Sequence, residues 1–76
     1  MAKFNGHKNW NHWNVSLWIN NDEGLYRTAR IHLKREANKN NAAQEMLADL
    51  AECEITKTPD GAPYSVSSIR AAMVGM

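Results

Sequence analysis

The chain has 76 residues, 43% of them hydrophobic, with 9 Lys+Arg against 8 Asp+Glu. A domain this short buries only roughly 60% of the surface its unfolded chain exposes, so its stability is small unless a metal, a disulfide or a second copy adds to it. The near-neutral balance argues against an acidic DNA mimic and against a strongly basic, non-specific DNA binder. One cysteine, Cys53, excludes an internal disulfide; with no apolar leader it makes a reducing bacterial cytoplasm the expected compartment. No apolar run approaches the ~20 residues that span a bilayer, so no membrane partner is expected.

Met1 to Asn9 is polar and reads as an irregular lead-in, with Phe4 expected to fold back onto the core. Asn11 to Asn21 is rich enough in aromatic and β-branched residues to allow a strand. Trp10, Trp13, Leu17 and Trp18 keep helical spacing, however, and Asn9 or Asn11 is a good N-cap, which favours a short helix ending at Asn20-Asn21. The second helix opens on Asp22-Glu23 and carries Lys34 and Arg35 near its end, both in keeping with the helix dipole. Its apolar face is Leu25, Tyr26, Ala29, His32, Leu33 and Ala37, and it stops in Asn38-Lys39-Asn40-Asn41.

A third helix is expected from Ala42 to about Ile55, with Asn41 as N-cap, Gln44 as its capping partner, and the stripe Ala43, Met46, Leu47, Leu50, Ala51. Thr58-Pro59-Asp60-Gly61 reads as a tight turn, because Pro presets φ, Asp bonds back to the backbone and Gly takes the left-handed position. A last helix runs from Ser65 or Ser67 to Val74, its face made of Val66, Ile69, Ala72 and Met73, with Gly75 as the stop. The expected architecture is all-α: a small single-domain bundle of three to four helices over residues 1–76 with an irregular N-terminal lead-in.

No arrangement of residues supports catalysis. The chain lacks Gly-x-Ser-x-Gly, a Gly-rich phosphate loop and His-Glu-x-x-His. Asp22-Glu23 is explained by helix-start electrostatics. Cys53 lies between Glu52 and Glu54, which disfavours the thiolate a nucleophile needs. His7, His12, His32 and Cys53 have no metal-ligand spacing, so no metal and no cofactor are expected. His32, on an apolar face, reads as a core-edge residue.

Two features suit binding. Trp10, Trp13 and Trp18 fall within nine residues. They serve either as core in a chain that needs large side chains or as an aromatic platform for a partner, and Trp10, at the helix entry, is the best placed to be exposed. Arg27, Arg30, Lys34 and Arg35 occupy the face of the second helix opposite its apolar stripe, with Ile31 among them. A solvated charged face is the simplest explanation. An aliphatic residue inside a basic face nevertheless has no core to enter unless a partner covers it. Glu45, Asp49 and Glu52 form an acidic ridge on the third helix that could answer the basic face within one chain or across a dimer.

Phe4-Asn5-Gly6, Asn9-Trp10 and the run from Trp13 to Tyr26 resemble a family of short uncharacterised proteins encoded by phages, plasmids and prophages, as does Thr58 to Gly61 with Pro63-Tyr64. The sequence departs from that pattern at His7, and at His12, where a threonine is usual and could cap the first helix. The resemblance implies a mobile-element origin and a compact helical domain, and brings no catalytic residues with it. By analogy with small accessory phage proteins, it implies an inhibitor that occludes a host machine, such as an anti-CRISPR or another host-defence antagonist. The expected partner is a host protein or protein–nucleic-acid complex, contacted through Arg27, Arg30, Ile31, Lys34, Arg35 and Trp10. A nucleic-acid-binding regulator using the same face and a self-assembling protein dimerising around Ile31 stay open as alternatives.

Overall fold

Four short polar side chains set where the helices start. In the computed structural model, which describes residues 8–76, Asn9 accepts from the His12 N–H at 3.0 Å, Asp22 from Leu25 at 3.0 Å, Asn38 from Asn41 at 2.8 Å and Ser65 from Ser68 at 3.1 Å. Each satisfies one of the N–H groups that a helix start leaves without an intrahelical partner. The helices that follow are α1 (Trp10–Asn21), α2 (Glu23–Arg35), α3 (Lys39–Glu52) and α4 (Val66–Ala72). The chain is therefore all-α, with no strand among the described residues beyond an isolated Lys57–Pro63 bridge. The expected positions of Phe4 and His7 lie outside the described residues.

Several helix ends differ from the sequence expectation. Asn38, not Asn41, caps α3, so that helix starts three residues earlier and Gln44 takes no part in its cap. Three asparagines, at 38, 40 and 41, compete there, and Asn38 is the one in extended backbone, as an N-cap must be. Glu36 ends α2, which leaves Ala37 exposed outside the helix instead of on its apolar face. α3 closes at Cys53, two residues short of Ile55. Ile55 N–H reaches Leu50 C=O at 2.8 Å and Glu54 N–H reaches Ala51 C=O at 3.0 Å, a Schellman closure with Glu54 at φ 60°. Ala51 is exposed, not part of the buried stripe. Asn9 supplies the α1 cap, so His12 takes nothing from it. His12 and Ser67 instead bond at 2.9 Å, joining α1 to α4.

The helices pack as a ring, α1 on α2, α2 on α3, α3 on α4 and α4 on α1, while the diagonal pairs do not meet among the described residues. Alanines at 29, 42, 43 and 72 are buried and let the helix backbones approach. Val15, Ile19, Met46, Ile69 and Met73 fill the centre with no exposed surface. The tryptophans are not that centre. Val15 and Ile19 are the buried positions of α1, whereas Trp13 and Trp18 are half-buried and Trp10 and Leu17 are each 39% exposed. Spacing alone could not separate these two helical stripes, because α1 is apolar on both.

Candidate functional site

The outer side of α2 carries the candidate interface. Residues 27, 30, 31 and 34 follow the helical repeat, so their side chains rise from one face. That face lies opposite buried Ala29 and His32. Glu23, Tyr26, Arg27, Arg30, Ile31 and Lys34 together bound a shallow open depression of about 410 Å³. Arg27 bonds Glu23 at 2.9 Å, an exposed i,i+4 pair worth a few tenths of a kcal/mol. Arg30 donates to the Tyr26 hydroxyl at 3.0 Å and its guanidinium sits 5.8 Å from the ring centre. The ring thus orients the cation without neutralising it. Ile31, between them, is 46% exposed.

None of these cations pairs with the acidic ridge of α3. The Lys/Arg–carboxylate pair among the described residues is Arg27–Glu23, and Asp49 is hydrogen-bonded to His32 at 2.7 Å. Buried His32 is the polar link between α2 and α3, as its place on the apolar face required. Arg35 is exposed at the end of α2, outside the depression. Trp10 does not join the group either. It opens α1, whose other end meets α2, and 12 helical residues span about 18 Å.

A polar bracket that the sequence reading did not single out holds the long α3–α4 connection. Asn14 is 1% exposed in the middle of α1. Its amide donates to Asp60 at 2.9 Å and its oxygen accepts from the Thr58 hydroxyl, while the Trp18 indole N–H donates to the same Asp60 oxygen at 3.0 Å. Thr58 Oγ1 accepts in turn from Ala62 N–H at 3.0 Å. Donation by Asn14 first, then by Trp18, holds the Asp60 carboxyl below its ordinary pKa. The sequence carried a partial signal: Asn14 and Trp18 are one turn apart on α1, and Asn14, flanked by Trp13 and Val15, asks for a partner if buried.

The turn held by the bracket closes one wall of a larger open groove of about 670 Å³. Trp18, Leu25, Leu50, Ile55, Pro59 and Tyr64 give it an apolar lining, and exposed Cys53 lies at its edge. Burial, and then the Asp22 carboxylate, push the Tyr64 hydroxyl above its ordinary pKa. Among the described residues no three His, Cys, Asp or Glu come together to hold a metal ion, and no helix is long and apolar enough to cross a membrane.

No curated protein and no solved structure matches the chain. A family model does, over residues 1–76. The chain belongs to DUF7249, a family of unknown function.

Proposed function

We propose that this chain is a small, non-catalytic binding protein that docks the outer face of α2 on an acidic surface of a larger partner and acts by covering it. What supports the reading is one observation: Arg27, Arg30, Ile31 and Lys34 surround a single exposed depression, and none of them is paired with the carboxylates of α3. An aliphatic centre ringed by cations suits a protein surface. The apolar contact supplies desolvated area, and the charges set orientation and association rate.

The resemblance to mobile-element proteins makes a host-defence complex the natural target, with inhibition by steric occlusion in the host cytoplasm. Trp10 stands apart from the depression and would serve a separate contact. The experiment is capture from bacterial lysate with tagged wild type and with Arg30→Glu/Lys34→Glu, each with and without nuclease. The reading predicts a protein that wild type retains after nuclease and that the double variant loses, with both chains equally helical by circular dichroism. Equal retention by the variant would remove this face from consideration. Loss of all captured material on nuclease treatment would shift the reading to nucleic acid, with affinity falling steeply as salt rises.

A further inference from the structure

We propose that a second copy of this chain is itself a partner of the α2 face, docked so that Arg27, Ile31 and Lys34 of one protomer meet Glu52, Ala48 and Glu45 of the other. The proposal rests on the reading of that face as an interaction surface and adds the geometry of what fits it. In the ring of helices, α2 and α3 form one side and turn outer faces away from α1 and α4. The outer stripe of α2 runs Arg27, Ile31, Lys34, stepping by four residues and then three. The outer stripe of α3, followed in reverse, runs Glu52, Ala48, Glu45 with the same two steps. All six residues are exposed. Charge sign is opposite at both ends, and an aliphatic residue faces a methyl group in the middle.

The register follows from the monomer. Residues 36–38 join α2 to α3, and so short a connection makes packed helices antiparallel neighbours. A two-fold axis parallel to these helices leaves heights unchanged. Each α2 residue then faces the α3 residue beside which it already lies in its own chain. The His32–Asp49 bond fixes that height. Ile31 and Ala48 each precede one member of the pair, so they are level to within about 3 Å at 1.5 Å rise per residue. Arg27 then lies opposite Glu52 and Lys34 opposite Glu45, each pair occurring twice, and the arrangement closes without leaving a face open. Lys34, Glu45 and Glu52 have no ion pair with other described residues, while Arg27 has to turn from, or share, its exposed pair with Glu23. Exposed ion pairs are individually weak and salt-sensitive. A foreign acidic surface would compete with the second copy for the same cations.

Sedimentation equilibrium of the full chain tests this. At low ionic strength the mass rises with concentration from 8.6 kDa toward twice that value, and it returns to the monomer in 1 M salt, where the screening length is about 3 Å. Lys34→Glu and Glu45→Lys each give monomers with unchanged helicity, because each sets like charges against each other twice. Mixed in equal amounts they dimerise again, since each then meets its opposite. A wild type that is monomeric at every concentration, a dimer that Lys34→Glu leaves intact, or a mixture that stays monomeric overturns the proposal. A monomeric wild type whose partner capture still depends on Arg30 and Lys34 removes only the dimer. A charge-dependent dimer with no captured protein removes only the foreign partner.

Discussion

Replacing Asn14 by alanine takes out the centre of the bracket that holds residues 58–62 on α1. The Asn14 oxygen is the acceptor for the buried Thr58 hydroxyl, which also accepts from Ala62 N–H, so the change leaves a buried hydroxyl proton without a partner. That costs about 1–3 kcal/mol. The void left by the amide adds about 1 kcal/mol, and the better helix propensity of alanine returns roughly 0.5 kcal/mol. The net loss is about 1.5–3.5 kcal/mol, which lowers the melting temperature of a domain this size by about 6–28 °C. Thermal and urea unfolding followed by far-ultraviolet circular dichroism measure it. The companion Thr58→Val, combined with Asn14→Ala, completes a cycle whose coupling term exceeds about 1 kcal/mol. A single-variant loss below about 0.5 kcal/mol, or additive losses in the cycle, would refute the bracket.

Three further outcomes follow from local geometry. Glu54 sits at φ 60° where a helix C-terminus favours glycine, so Glu54→Gly raises stability by about 1 kcal/mol in urea unfolding, and no change would mean the left-handed backbone there carries no strain. Asp60 has its pKa lowered in the folded chain, so its contribution is fully present above the unfolded value of about 3.9 and is lost as pH falls through the lower folded value. Asp60→Asn removes that part of the acid-side slope in a pH series of unfolding curves, and an unaltered slope would contradict the assignment. Ser65→Ala breaks the capping box of α4 and lowers stability by about 1 kcal/mol, read by the same unfolding assay.

Much of the fold was legible because it is local. Asp22 with Glu23, the polar break after α2, and the Thr58–Gly61 turn lie where the residues placed them, but the turn is held differently: Thr58, not Asp60, bonds its backbone, and the Asp60 carboxylate reaches Asn14 and Trp18 instead. The buried faces of α2 and α4 were largely readable from their 3.6-residue period, but Tyr26, expected on the apolar face of α2, stands instead beside Arg30 at the outer depression. The α3 cap was not, because Asn38, Asn40 and Asn41 have equal chemistry and only the backbone angle separates them. α1 hid its inner face for a different reason. Its apolar residues are spread around the helix among polar ones, with no single apolar stripe, and the attachment of Asn14 and Trp18 to Asp60, more than forty residues away, goes with the orientation that buries Val15 and Ile19. The cationic cluster on α2 was legible as a stripe. That α3 would spend Asp49 on His32, and leave Glu45 and Glu52 facing outward, depended on how the two helices pack.

A photocrosslinking side chain placed at Ile31, compared with the same group at Val74, tests the functional account most directly. Val74 is also exposed, at 71%, and does not line the α2 depression. Irradiation in cells should give adducts heavier than the monomer from position 31, abolished by Arg30→Glu/Lys34→Glu, and none from position 74. Adducts from position 74 with none from position 31 would show that this protein meets its partner elsewhere.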